Sequence, residues 1–160
     1  MATLLSYSLG AYSESITWGV EITFSNDILG DAKNKAPNRH GTDGTRPWSA
    51  ENQEAMEAFY KHMKKKKKQN SDIKKVEHLG FEDKWGNDVV RVTYKDGWSF
   101  DVTMDPYCLE VVMPPFTLEE LKKNKNRLQT ELFDNMKAVG LIPIRSLGGG
   151  HIHMGQESGF

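Results

Sequence analysis

His151 and His153 stand two apart near the end of the chain. On an extended strand, residues two apart project from the same side, so both imidazoles address one point. Neutral imidazole is a common metal ligand. Two surface histidines give the same H-x-H pattern, and the pair alone does not separate the readings. Gly148, Gly149 and Gly150 precede the pair. Three glycines favour close approach of backbone to a ligand, or mark a flexible tail. Two carboxylates extend the case. Glu21 sits between Val20 and Ile22, and Glu110 between Leu109 and Val111. Glutamate is disfavoured in strands. Either one alone reads as a residue facing water. With the histidines they make an oxygen and nitrogen donor set that suits Mg2+ or Mn2+, and Zn2+ less specifically.

Two other features could carry chemistry. Cys108 is the single cysteine. It reads as a nucleophile with His151 or His153 as base, or as a small core thiol. Residues 64–68 are five consecutive lysines within a lysine-rich segment, 64–75. A solvated helix end is one reading and a phosphate- or nucleic-acid-binding patch the other. No aromatic residue lies within 63–76 to stack on a base.

These residues must be positioned by regular elements. Over 16–24, Trp18, Val20, Ile22 and Phe24 alternate with Thr17, Gly19, Glu21 and Thr23, a half-buried strand. Residues 25–48 are rich in Asn, Asp, Gly and Pro and read as a long loop. From Ser49, Ala55, Met56, Phe59, Tyr60 and Met63 recur at helical spacing. Residues 89–104 read as a hairpin turning at Asp96-Gly97, and 108–113 as a further strand. Thr117 and Glu120 form a capping box before a second amphipathic helix carrying Leu118, Leu121, Leu128, Leu132, Met136 and Val139. Residues 141–146 and 151–155 are short strands. The order predicts an α+β fold: a mainly antiparallel sheet with two long helices packed on one face. The opposite face would collect Glu21, Thr23, Arg91, Thr93, Asp101, Thr103, Glu110, His151 and His153.

The 160 residues predict a single domain. The net charge is −1, so no global field draws the chain to nucleic acid or membrane, and neither is an expected partner. One cysteine excludes an intrachain disulfide and a cysteine-based zinc cluster. No apolar run is long enough to span a membrane and the first ten residues make a weak secretory signal. A cytoplasmic location is expected.

At the same residues the chain resembles a known family. WGVEITF (18–24), DPYCLEVVMPP (105–115) and LGGGHIHMG (147–155) resemble, in order, the first acidic strand, second acidic strand and glycine–His-x-His strand of the amidoligases. These belong to the glutamine synthetase and glutamate–cysteine ligase superfamily of carboxylate–amine ligases. The resemblance implies a glutamine-synthetase-like fold with a metal–nucleotide funnel on the open sheet face. It implies amide formation through an acyl phosphate, with ATP and Mg2+ or Mn2+ as cofactors and small-molecule or peptide carboxylates and amines as substrates. Glu21, Glu110 and His151 would be metal ligands. His153 would sit beside the phosphates or acyl group, with Gly149 and Gly150 approaching the cofactor. Arg145, Arg91 or the lysines at 64–68 would supply phosphate-binding charge. The family's Glu-x-Glu is here Glu21-x-Thr23, one ligand fewer. Family members continue beyond the His-x-His strand, so this chain reads as lacking a C-terminal part. A homo-oligomer or a complementing second chain is then expected to close the funnel. A non-catalytic binding or assembly protein on the same fold, and a metal-dependent hydrolase, are the alternative readings.

Overall fold

Alternation along the strands gives each an apolar side and a polar side, and the computed structural model joins the apolar sides into one surface. It describes residues 16–35, 50–69, 72–81, 88–105, 107–143 and 150–156. The strands are β1 (Ile16–Phe24), β2 (Ile73–Phe81), β3 (Asp88–Tyr94), β4 (Ser99–Asp105), β5 (Cys108–Val112) and β6 (Gly150–Gln156). They form one six-stranded sheet in the order β2-β3-β4-β5-β1-β6. Every neighbouring pair is antiparallel. Phe24, Val90, Val92, Tyr94, Phe100, Val102, Leu109 and Val111 are buried on one side. Against them pack Leu29 of α1 (Asp27–Lys35), Met56, Phe59 and Met63 of α2 (Ala50–Lys68), and Leu132 and Met136 beyond α3 (Leu118–Arg127). The result is an α+β fold with the helices on one face. Each fully buried large apolar side chain contributes roughly 1.5–3 kcal/mol.

Local chemistry explains most element ends. Gly97 adopts φ +92° in the β3–β4 turn, which a side chain would strain. Thr117 Oγ1 accepts the Glu120 N–H, and the Glu120 carboxylate accepts the Thr117 N–H, a complete capping box. The Thr117 N–H and hydroxyl both donate to the Glu120 carboxylate and hold that carboxyl below its ordinary range.

Three segments differ from the sequence expectation. The expected loop at 25–48 opens with structure. Ser25 pairs with Ile142, the Asn26 side chain accepts the Leu29 N–H at 2.9 Å, and α1 follows. An asparagine N-cap with one buried leucine is a short signal beside the Asn- and Pro-rich stretch after it, which lies outside the described residues. Strand β2 went unread because its register shifts between Ile73 and Lys75 and again between His78 and Gly80. Bulges break the two-residue period on which strand reading depends. It occupies the end of the lysine-rich segment. In the third segment, Ile142 makes an isolated bridge where a strand over 141–146 is predicted, and residues 144–149 lie outside the described residues.

The second long helix changes pitch midway. Leu128–Phe133 is π-helical, and α4 (Asp134–Ala138) completes it. Tertiary bonds anchor the wide turn. Glu131 accepts the buried Tyr94 hydroxyl at 2.8 Å and Lys66 Nζ at 2.9 Å. Burial and Glu131 both push the Tyr94 hydroxyl pKa up. Asn135 donates to the Glu131 carbonyl and meets His62 of α2 at 3.0 Å. Among the described residues Lys66 is thus the one lysine of 64–68 held by an ion pair, at the layer boundary.

The β4–β5 connection has the tightest control. Tyr107 sits at φ +63°, costly for a non-glycine residue. Asn52 of α2, 1 % exposed, donates to the carbonyls of Asp105 (3.0 Å) and Cys108 (2.9 Å) and accepts the Tyr107 N–H (3.2 Å). Ser25 Oγ donates to the Tyr107 carbonyl from the other side at 2.8 Å. Asn52→Ala strands these buried backbone groups, so it should lower unfolding free energy by about 2–4 kcal/mol in urea titration. Glu54→Ala, at an exposed position two residues on, should change it by less than about 0.5 kcal/mol.

Candidate metal centre

The polar sides of the strands meet on the face opposite the helices. Register fixes which residues are neighbours. One row runs Arg91 (β3), Asp101 (β4), Val112 (β5), Glu21 (β1), His151 (β6). The next runs Val89, Thr103, Glu110, Thr23 along β3, β4, β5 and β1. Glu110 therefore lies diagonally across from Glu21, the spacing at which long side chains still meet. Glu21, Glu110 and His151 each offer a ligand atom, all within 4.8 Å of one another. His153 stands opposite Gly19, which has no side chain to occupy the space. Its Nε2 lies 3.1 Å from Glu21 Oε1, and His151 Nδ1 lies 3.8 Å from Glu21 Oε2. The imidazoles are open to solvent, 70 % and 67 % exposed, while the Glu21 side chain is 25 % exposed.

Glu110 carries the electrostatic tension of the group. Thr23 and Thr103 flank it, both buried. Burial raises its pKa, the negative charges of Glu21 and then Asp105 raise it further, and the two histidines oppose the rise. A cation placed among these donors would relieve that repulsion. Two carboxylates and an imidazole converging from three adjacent strands are a donor set that fits a divalent ion.

The remaining sequence candidates are distributed differently. Gly150 opens β6 and pairs with Ile22; a Cβ there would come within 3.3 Å of the Glu21 carbonyl oxygen, so close packing accounts for this glycine. Arg145 and Gly149 lie outside the described residues. Arg91 shares the open face but is three strands from Glu21, about 14 Å at ordinary strand spacing. It makes two 2.7 Å bonds to Asp101. The lysines at 64–68 belong to α2 on the opposite face, so they do not reach this group. The Cys108 Sγ is buried and directed at Asp105 Oδ2, 3.6 Å away, which favours a buried thiol over a nucleophile paired with histidine, though strand parity puts it on the Glu110 side of β5 and outside the helix-side core. Sequence reading missed Asp105. Its side chain shares a face with Glu110 because Asp105 pairs with Cys108 and Thr103 with Glu110. The parity of β4, which puts Asp101 and Thr103 on the open face, carries that signal two residues on. Beyond Val112 the same face holds a hollow of about 470 Å3, lined by Arg91, Thr93, Ser99, Asp101 and Pro114.

No helix among the described residues is long and apolar enough to cross a membrane. Comparison with protein-family models, with curated proteins and with solved structures finds no match to this chain.

The raised Glu110 pKa has a definite sign in stability. The folded state keeps the Glu110 proton to higher pH than the unfolded chain, whose carboxyl titrates near 4.5. The associated stabilisation is full below that value and is lost as pH rises through the raised folded value. Glu110→Gln removes the charge and keeps the shape. In metal-free buffer it should melt higher than the parent at neutral pH, the gap closing toward about pH 4. Thermal melts across that range, followed by circular dichroism, read the difference directly.

Proposed function

We propose that the open sheet face binds a divalent cation, Mg2+ or Mn2+, through Glu21, Glu110 and His151, and that it serves ATP-dependent carboxylate–amine ligation of the amidoligase type. The observation carrying this reading is the convergence of those three ligand atoms within 4.8 Å on the face away from the helices. The resemblance of the three strand motifs to the glutamine synthetase superfamily supplies the reaction class. A bound cation would neutralise charge on a transferring phosphoryl group.

The chain's own residues would do the rest. Glu21 and Glu110 bring two negative charges to one locus from adjacent strands, and His151 adds a neutral nitrogen donor. His153, whose Nε2 lies 3.1 Å from Glu21 Oε1, would help orient that carboxylate and stands where a phosphate or acyl oxygen would approach. The hollow past Val112 offers space for a carboxylate substrate on the same face. Among the described residues no lysine or arginine ion-pairs with Glu21 or Glu110. Triphosphate charge would need such a group from Arg145, from a second copy or from another chain. The exposure of both imidazoles also favours a second reading, a metal-dependent hydrolase acting with water on the open side of the ion.

A cation that binds only the folded state stabilises it by about 2.7 kcal/mol at a hundredfold excess over Kd. Mg2+ or Mn2+ should raise the melting temperature of the parent by several degrees, and His151→Ala or Glu110→Gln should abolish the rise. A melt indifferent to millimolar Mg2+ and Mn2+ removes the reading. With ATP, metal and mixtures of amino acids and polyamines, ligation releases ADP and amide in equal amounts. Turnover of ester or amide substrates without nucleotide selects the hydrolase instead.

A further inference from the structure

The lysines at 64–68 form part of a built surface that the cation site does not use. Helix α2 buries Asn52, Met56, Phe59 and Met63, one face at helical spacing. Lys61, Lys64, Lys65 and Lys68 recur at i, i+3, i+4 and i+7, a single stripe opposite that face. All four are exposed, and the stripe is about 10 Å long. Its neighbours sort cleanly. Lys61 pairs with Glu57 at 3.2 Å, Lys66 with Glu131 and Lys75 with Glu77. Lys64 lies over the Tyr60 ring, 5.7 Å from its centroid. Lys65, Lys67, Lys68 and Lys74 make no ion pair among the described residues.

The helix dipole favours cations in the last turn. It does not call for four lysines on one exposed stripe, where like charges three and four residues apart repel. A linear polyanion laid along the stripe removes that repulsion. We propose that this stripe binds the phosphate backbone of nucleic acid without reading sequence. The geometry favours a strand over a lipid surface. The stripe is narrow, and Glu57 and Glu54 occupy the same helix face one and two turns before Lys61. Among the described residues the exposed large apolar ones are Ile28, Leu118, Ile142, Ile152 and Met154, and none of them is on α2 to enter a bilayer with the lysines. The absence of aromatic residues from 63–76 excludes base stacking within the segment and fits backbone contact alone.

Fluorescence anisotropy of the full chain with a labelled single-stranded 20-mer tests this. Three to four phosphate contacts predict a slope of about −2 to −3 for log K against log salt. Two oligonucleotides of unrelated sequence should bind within about twofold of each other. Replacing Lys64, Lys65 and Lys68 together with Gln should weaken binding at low salt at least about tenfold and bring the slope above about −1. These side chains are exposed, so an unchanged melting temperature will show that the fold is kept. No binding at low salt overturns the proposal, as does equal binding by the triple variant. Tighter binding to vesicles rich in phosphatidylserine than to the oligonucleotide at matched salt also overturns it and assigns the stripe to a membrane surface.

Discussion

Asn52 is a polar side chain buried where a helix meets a sheet, and its three hydrogen bonds are the constraint on which the open face depends. An amide has two donors and an acceptor carbonyl, and here they satisfy backbone groups on both sides of one tight connection. Without such bonds the left-handed Tyr107 would relax, and the turn between β4 and β5 with it. That turn sets the register in which Thr103 faces Glu110 and Asp105 faces Cys108. A one-residue slip would carry Glu110 to the helix side and Leu109 to solvent. The placement of a carboxylate on one layer is therefore decided by an amide on the other.

The two faces of the sheet solve opposite problems. On the helix side, a tilted contact joins Tyr94 to Trp98 and an edge-on one joins Trp98 to Phe100, and the Arg127 guanidinium covers both Tyr94 and Trp98 at under 5 Å. Asp96 fixes that guanidinium, and Arg127 holds the Asp96 carboxyl below its usual range. The guanidinium there is paired. On the open side, the charges of Glu21 and Asp105 act on Glu110, and the two solvent-exposed imidazoles oppose them. Carboxylates crowded in this way lower stability unless something positive joins them.

Much of this architecture is legible in the residue order. The alternation of β1, the Asp96-Gly97 turn and the Thr117–Glu120 box each report a local interaction, and local interactions leave local patterns. What escapes is tertiary. Bulges hide β2, since Ile73 and Val76 are three apart rather than two. The π turn at Leu128–Phe133 arises from Glu131 and Asn135 reaching α2 and Tyr94, which no periodicity reveals. The face shared by Glu21, Glu110, His151 and His153 follows from parity once the strands lie in one sheet. Their proximity does not, because it needs β5 and β6 to flank β1 on either side, and strand order is not written in spacing.

Strand β6 contributes both histidines, and among the described residues it pairs with β1 alone. Its apolar side chains, Ile152 and Met154, remain largely exposed, so little burial secures it beyond its backbone ladder. Such a strand can open by itself while the rest of the sheet stays folded. An ion gripping His151 from β6 and Glu110 from β5 would then bridge across β1, tying the outermost strand to one two places in. Amide protons of the β1–β6 ladder would exchange at a rate set by ion occupancy, and those of the β3–β4 ladder would not. The weakest-held strand of the sheet would become the one whose opening reports whether the site is filled.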